Sequence, residues 1–335
     1  MSENSKIEWC DHTFNPWIGC TKIGPGCDNC YASVSTPART MGIAWGAGAT
    51  RHHTAHTTWA QPKTWNDQAD AFQTKHGRRQ RVFCASLADV FDNAVNPQWR
   101  ADLFALIAQT PNIDWLLLTK RIGNVNSLLP PDSRGSPHSW GCGWANVWIG
   151  ATIVNQEEAE RDIPKLLALP AAKRFLSMEP LLGPVDIAKW IDPDLFTGCA
   201  DDGITALDWV IVGGESGPGA RPMHPDWARS LRDQCQAASV PFLFKQWGEY
   251  RPATSVQEAT TNPVISQNRK AIHAIGSPAY SMPNFSGCYY MPHQVESMID
   301  GSGQYAASDC AMLKAGKKAA GRLLDGITHD GYPSE

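Results

Sequence analysis

Three cysteines near the N-terminus carry the chemistry that this sequence makes most visible. Cys20, Cys27 and Cys30 are separated by six and by two residues, in the run Cys-Thr-Lys-Ile-Gly-Pro-Gly-Cys-Asp-Asn-Cys. Three thiolates can hold a [4Fe–4S] cluster and leave one iron open to a ligand, whereas a closed structural zinc site takes four protein ligands. His12 could complete a zinc site, and three unrelated buried thiols are a further interpretation. The spacing favours the open cluster.

Polar residues and glycines follow a series of apolar runs. The runs are rich in β-forming residues and cover 81–85, 114–119, 147–152, 174–178, 208–213 and 241–245, and another at 13–18 precedes the cysteines. The carboxyl ends of parallel strands meet at the mouth of a barrel, where active sites lie. We therefore expect the residues at these ends to converge, although each alone could simply begin a surface loop. They include Ser86, Asp89, Lys120, Arg121, Thr152, Ser177, Glu179, Gly213, Gly214, Glu215 and Lys245.

Segments of helical period separate the apolar runs. In residues 97–109, Asn96 can cap the helix, Pro97 suits its first position, and the apolar residues form one stripe. The segments 155–169 and 224–238 have the same character. This alternation predicts an α/β fold with a parallel sheet, covered on its outside by helices.

Composition and charge exclude some classes of protein. The chain has 335 residues, of which 42% are hydrophobic and 19% charged, and no apolar run approaches the length of a membrane span. No apolar signal segment opens the chain, so we expect a cytoplasmic protein whose ten cysteines are thiols or ligands. A net charge of −4 gives no overall attraction to nucleic acid, so such binding would need a local basic patch.

The remaining segments suggest how the chain is divided. Residues 32–80, 123–146 and 252–305 lack a clean period, and we interpret them as long loops over the mouth. We predict a barrel domain over 1–250, with the cysteine loop at 20–30. A loop-rich extension over 251–335 is expected to end in a helix at 309–324 that packs on the barrel.

Several motif blocks of the chain resemble one known family. The run Ile-Glu-Trp-Cys-Asp-His-Thr-Phe-Asn-Pro-Trp-Ile-Gly-Cys at 7–20 and Pro-Gly-Cys-Asp-Asn-Cys-Tyr-Ala at 25–32 are similar to the opening of a phage-associated three-cysteine family related to the radical S-adenosylmethionine (SAM) enzymes. The likeness continues over nearly the full length, in blocks at 118–121, 175–182, 209–217, 220–223, 244–248 and 323–326.

The resemblance implies a partial (β/α) barrel of parallel strands, with Cys20, Cys27 and Cys30 as ligands of a [4Fe–4S] cluster. In that chemistry SAM chelates the fourth iron, and one electron from the cluster cleaves SAM to a 5′-deoxyadenosyl radical that abstracts hydrogen from the substrate. The protein itself has to bind the cofactor and the substrate, orient them, and shield the radical from water. Gly-Gly-Glu at 213–215 resembles the element that receives the SAM ammonium. The expected cofactor-binding residues are Ser86, Thr152, Ser177, Gly213, Gly214 and Glu215.

Charged side chains at the strand ends are candidates for catalysis. The cations are Lys120, Arg121, Arg221 and Lys245. They could bind a carboxylate or phosphate of a ligand, or they could form ion pairs within the protein. The acidic partners for such pairs would be Asp89, Glu179 and Glu215. We expect Glu179, Lys120 and Lys245 to be catalytic.

The phage association favours an enzyme that modifies a nucleobase or nucleotide, within phage DNA in the fullest version. One reaction is the isomerisation of a glycine-decorated thymidine from an N-linked to a C-linked form, a step of DNA hypermodification.

A base in duplex DNA must leave the stack, and Trp140, Trp144 or Tyr289 could stack on it. We expect an electron donor such as flavodoxin or ferredoxin, in the host cytoplasm if the protein is phage-encoded. The alternatives are a zinc-dependent or zinc-stabilised nucleic-acid-processing protein and a non-catalytic module.

Overall fold

A computed structural model describes residues 4–131, 139–191, 206–252, 288–291 and 310–334. Its strands and helices, in chain order, are β1 (His12–Phe14), β2 (Trp17–Ile18), α1 (Thr36–Thr40), β3 (His52–His53), α2 (His56–Asp67), α3 (Ala69–His76), β4 (Gln80–Cys84), α4 (Pro97–Gln109), β5 (Ile113–Thr119), α5 (Ile122–Leu128), β6 (Val147–Thr152), α6 (Gln156–Leu167), β7 (Lys173–Met178), α7 (Ala188–Ile191), β8 (Trp209–Gly213), α8 (Pro225–Ala237), β9 (Phe242–Gln246), β10 (Tyr250–Pro252), β11 (Cys288–Met291), β12 (Cys310–Lys314) and α9 (Lys317–Ala320).

A parallel sheet of seven strands, in the order β1-β4-β5-β6-β7-β8-β9, forms the centre of the described chain. The predicted α/β class and parallel sheet are therefore confirmed. The sheet is curled into a half-barrel. This curl is shown by the Trp9 ring, which contacts both Phe83 on β4 and Trp209 on β8, at centroid distances of 4.5 and 6.4 Å. These two strands would lie about 19 Å apart in a flat sheet.

Alternation along the strands sends apolar side chains to both faces of the sheet. The outer face packs against the helices, for example through Leu117 and Val212. The inner face is aromatic near the amino ends of the strands, where Phe83, Trp148, Phe175 and Trp209 surround Trp9. The bottom of the half-barrel is thus a packed apolar plug. Toward the carboxyl ends of the strands, the inner face carries the polar side chains Thr152, Ser177 and Lys245.

The helices that cover the sheet begin where the sequence predicts. In α4 the side chain of Asn96 accepts a hydrogen bond from the Gln98 amide at 2.9 Å, and Pro97 occupies the first turn. The other predicted helices correspond to α6 and α8. Each is capped by the side chain of the residue just before it, Asn155 for α6 and His224 for α8.

The first predicted strand is split in two. Residues 13–18 do not form one strand, because Pro16 has no amide hydrogen and the backbone leaves the sheet at Asn15. The Asn15 side chain instead accepts from the Leu87 amide at 2.7 Å and donates to the Ser86 hydroxyl at 2.9 Å. Only β1 joins the parallel sheet, while β2 pairs with β3 in an antiparallel ribbon that leads into the cysteine loop.

The predicted helix at 309–324 is wrong. Residues 310–314 form β12, which pairs antiparallel with β10 and β11, and only a single helical turn, α9, follows. Gly316 and Gly321 flank this turn with φ values of +81° and +74°, so helical geometry stops at both ends. The chain then returns to the barrel, where the Gly331 amide donates to the Phe242 carbonyl at 2.9 Å.

The three segments interpreted as loops differ in content. Residues 32–80 contain α1, β3, α2 and α3, and 123–146 overlaps α5. Apart from 252 and β11, residues 252–305 lie outside the described residues. None of the helices in the described ranges has the length and apolar character needed to cross a membrane.

Gly150 provides a test of the inner-face packing. A Cβ at this position in β6 would lie 2.3 Å from the Phe175 ring. We expect Gly150→Ala to lower the free energy of unfolding by about 1–3 kcal/mol through overpacking, as measured by urea denaturation. Adding Phe175→Leu should recover part of the loss. Gly123→Ala is the control, because its Cβ would meet nothing closer than 4.0 Å and alanine favours its helix; equal losses in both variants would contradict this packing.

Candidate active site

The carboxyl edge of the half-barrel brings together side chains from separate strands. The Lys120 ammonium, just after β5, donates to the Thr152 hydroxyl at the end of β6 at 3.2 Å. The Lys245 ammonium on β9 lies 2.6 Å from a carboxylate oxygen of Glu179, which follows β7. The three residues predicted to be catalytic therefore lie at one edge, but Glu179 and Lys245 are bound to each other, whereas Lys120 is not bound to either.

A polar cluster surrounds the Glu179 carboxylate. Its second oxygen accepts a hydrogen bond from the side-chain amide of Gln246 at 2.7 Å, and the same side-chain nitrogen lies 3.1 Å from the Ser216 hydroxyl. The Glu179 and Lys245 side chains are 20% and 10% exposed. Gly213 leaves the space for this carboxyl, since a Cβ there would lie 3.3 Å from Glu179 side-chain atoms.

The cysteine loop crosses the mouth of the half-barrel. Tyr31 donates through its hydroxyl to the Ser86 carbonyl after β4 at 3.0 Å, and Asn29 donates to Glu215 after β8 at 3.0 Å. In the middle, Gly26 lies so close to Val154 that a Cβ would be 2.8 Å from its methyl group. The loop thus spans the carboxyl edge from β4 to β8.

The three cysteines occupy different environments within this loop. Cys27 is buried at the end of a 3-10 turn, Pro25–Cys27, and lines a cleft together with Lys120, Thr152 and Glu158. Cys30 is partly exposed and precedes a second 3-10 turn, Tyr31–Val34. Cys20 is also partly exposed and lies at the start of the loop.

Cys20 contacts a buried network of charges. Its sulfur lies 3.3 Å from a guanidinium nitrogen of Arg121, which also bonds Asp89 at 3.1 Å and the Thr21 carbonyl at 2.6 Å. Burial, together with the nearby Asp89 carboxylate, raises the pKa of the Cys20 thiol to about 11, although Arg121 acts in the opposite direction. Metal binding at this thiol would therefore have to displace a proton.

The ion pairs predicted as one alternative for the strand-end cations are present for three of them. Arg121 pairs with Asp89, Lys245 with Glu179, and Arg221 with Glu215 at 2.6 Å. Lys120 differs: in the part of the chain that the structure describes, its ammonium contacts the Thr152 hydroxyl and forms no ion pair.

The residues predicted to bind a cofactor lie at this edge but do not form one open surface. Ser86 bonds Asn15, and Ser177 is buried within β7. Gly214 packs against backbone, because a Cβ there would lie 2.0 Å from the Trp247 carbonyl oxygen. Close packing therefore explains this glycine without a ligand.

Two of the three aromatic residues proposed to stack on a base lie away from the mouth. Trp140 is buried against Phe104, and its indole nitrogen donates to the Pro170 carbonyl at 3.0 Å. Trp144 packs beside it, just before β6. Both belong to the opposite edge of the sheet, so a stacking role at the mouth is wrong for them. The side chain of Tyr289 lies outside the described residues.

His12 is not near the cysteines. It begins β1, its imidazole lies 2.7 Å from the Gln80 side-chain oxygen at the start of β4, and its ring stacks on Trp65 at 4.2 Å. This places it at the amino edge of the sheet. Across the described ranges, no three His, Cys, Asp or Glu side chains form a group that could hold a metal ion.

Two residues of the cysteine loop were missed as site residues. Asn29 and Tyr31 flank Cys30 and connect the loop to β8 and β4 respectively. Their position beside a candidate ligand was the available signal, but which partners they would meet depends on residues far away in the sequence.

The family model described as "Protein of unknown function (DUF5131)" matches residues 4–333. The chain belongs to the DUF5131 family. No curated protein matches this DUF5131 chain. Among solved structures, it is similar to a double mutant of spore photoproduct lyase with bound AdoMet and dinucleoside spore photoproduct, at 11% identity and a TM-score of 0.34, over 90% of this chain and 68% of that one.

The Glu179–Lys245 pair can be tested by its effect on stability. Glu179→Gln would leave a largely buried ammonium without an ionised partner, so we expect a loss of about 1–3 kcal/mol in the free energy of unfolding. Adding Lys245→Met should restore part of it. Glu160→Gln, at an exposed pair with Lys189, should leave the unfolding midpoint nearly unchanged. Urea denaturation measures all four proteins, and equal effects at the two pairs would contradict the assigned burial.

Proposed function

We propose that this DUF5131 protein is a radical SAM enzyme that binds a [4Fe–4S] cluster through Cys20, Cys27 and Cys30 and modifies a nucleobase or nucleotide. The observation that carries the proposal is the course of the cysteine loop across the carboxyl edge of a parallel half-barrel. Active sites of parallel barrels lie at this edge.

The donor set fits such a cluster in its chemistry, although the three thiols are not gathered into one metal-binding group in the described residues. Cys20, Cys27 and Cys30 are soft thiol ligands on a single loop, which suits iron–sulfur ligation. His12, the fourth ligand considered for zinc, is committed to Gln80 and Trp65 at the other edge of the sheet. The site as proposed therefore supplies three ligands and leaves one iron for SAM. When bound, the cluster and SAM supply a 5′-deoxyadenosyl radical.

The residues of the half-barrel have separate tasks in this proposal. The apolar plug around Trp9 and Trp209 excludes water from below the reacting groups. Lys120 and Thr152, beside Cys27 in the cleft, bind an anionic group of the cofactor or substrate. The Glu179–Lys245 pair presents a carboxylate and an ammonium that can hold a polar substrate in position.

The substrate that we propose is a base in phage DNA, and the reaction is the isomerisation of a glycine-decorated thymidine from its N-linked to its C-linked form. The support for this class is the resemblance of the motif blocks to a phage-associated family. An external electron donor such as flavodoxin or ferredoxin would reduce the cluster.

Iron loading tests the proposed cofactor. After anaerobic reconstitution with iron and sulfide, we expect brown protein that forms 5′-deoxyadenosine from SAM in the presence of dithionite. Cys27→Ala should abolish both the colour and the product. Cys142→Ala, at an exposed cysteine just before β6, is the matched control and should retain both. Colourless protein with stoichiometric zinc would refute the proposal in favour of the zinc alternative.

Lys120 tests the proposed anion contact. Because its ammonium forms no ion pair with the described residues, Lys120→Met should leave the unfolding midpoint nearly unchanged while it weakens binding of the anionic ligand by about tenfold or more. Isothermal titration with SAM and product formation measure the effect. Lys165→Met, at an exposed lysine of α6, is the control. Unchanged SAM affinity and unchanged product formation would exclude Lys120 from the site.

A further inference from the structure

The Glu215 carboxylate is engaged within the protein by four hydrogen bonds. One oxygen accepts from the Arg221 backbone amide at 2.8 Å, from Arg221 Nε at 2.9 Å and from Asn29 Nδ2 at 3.0 Å. The other accepts from Arg221 Nη2 at 2.6 Å. An ionised carboxylate offers about four acceptor sites, about two on each oxygen, so these donors saturate the first oxygen and leave at most one site on the second. The group is also buried, with 5% of its side chain exposed.

Arg221 extends the same contact to the cysteine loop. Its Nη2 donates to the Pro25 carbonyl at 2.8 Å, and its Nη1 lies 3.1 Å from the Asp28 carboxylate. Asn29 adds a second bond, to the Gly219 carbonyl at 2.8 Å. Three residues within two positions of Cys27 or Cys30 are therefore bound to the segment 215–221 that follows β8.

Backbone shape makes this contact close. Gly219 has a φ of +80°, and a Cβ at this position would lie 2.9 Å from the Asn29 side-chain oxygen. A side chain at 219 would therefore be strained and would push Asn29 away. The segment after β8 is shaped to receive Asn29.

We propose that Glu215 and Arg221 are positioning residues that fix the Cys27–Cys30 part of the loop before any cofactor binds. This inference rests on the proposed function, because fixing the loop serves catalysis only if Cys27 and Cys30 bind the cluster. It gives the Gly-Gly-Glu element at 213–215 a different task from the one that the sequence suggests, because the carboxylate that would receive the SAM ammonium is already bound to Arg221 and Asn29.

Hydrogen exchange of the metal-free protein provides the test. The amides of Cys27, Asp28 and Cys30 donate to carbonyls within the loop, at 2.9 to 3.3 Å, so their exchange reports whether the loop keeps its shape. We expect Glu215→Gln and Arg221→Met to accelerate exchange in this loop by about tenfold, as expected for the loss of charge-assisted hydrogen bonds. Peptides from α4 should exchange at the same rate in all variants.

Glu249→Gln is the matched control. Its carboxylate accepts from the Gly217 amide at 3.0 Å, in the same segment, and it makes no contact with the cysteine loop among the described residues. This variant should exchange like the native protein. Asn29→Ala removes one arm of the contact and should give an intermediate acceleration, which keeps the test available if the Glu215 variant fails to fold.

Three further measurements are made on the reconstituted protein: its iron content, its electron paramagnetic resonance spectrum after reduction, and its SAM affinity. In Glu215→Gln we expect less iron per chain and an altered or broadened spectrum, with SAM affinity unchanged for each loaded site. Unchanged exchange with weaker SAM binding would overturn the inference and make Glu215 a cofactor contact. Native protein that takes up no iron would instead refute the proposed function, while faster exchange in the variants would still support the anchoring of the loop.

Discussion

The architecture of the mouth depends on the cost of burying unpaired charge. A charge removed from water is tolerated when an opposite charge and hydrogen bonds compensate it. The edge of this half-barrel carries several cations, and Arg121 and Lys245 each lie against a carboxylate from another segment. Arg221 pairs with Glu215 in its own segment and reaches the distant cysteine loop through Asp28 and the Pro25 carbonyl. Each of the three cations therefore joins two parts of the chain that are far apart in sequence. The polar edge is held together by the same groups that make it polar.

Two of these pairs fix the two ends of the cysteine loop. Arg121, just after β5, contacts the Cys20 sulfur and the Thr21 carbonyl. Arg221, after β8, contacts the Pro25 carbonyl and, with Glu215, receives Asn29. The cysteine loop is thus bound at two places by charged groups that belong to the half-barrel. The apolar plug at the opposite edge supplies the rigid base for both anchors.

The sequence predicts the local elements of this arrangement and misses the long-range ones. Strand and helix positions follow from periodicity and capping, so the parallel sheet, α4, α6 and α8 agree with the prediction. Residues 310–314 read as part of a helix, but pairing with β10 makes them a strand. The interruption at Pro16 is visible in the sequence, yet its consequence depends on the amide of Leu87, about seventy residues away. Tertiary pairing of this kind overrides local propensity.

The same distinction applies to the site residues. The geometry of parallel strands predicts that polar groups gather at one edge. The carboxylate that each cation meets depends instead on contacts between segments that the sequence does not place together. Glu215 shows the difference most clearly: a sequence motif suggests a ligand contact, whereas its neighbours satisfy it internally. Lys120 shows the converse. Its ammonium donates to the Thr152 hydroxyl and forms no ion pair with the described residues, although the Glu158 carboxylate lines the same cleft beside Cys27. The proposed anion contact therefore rests on a cation that the half-barrel leaves without a directly bonded carboxylate, and not on the most conspicuous acid of the edge.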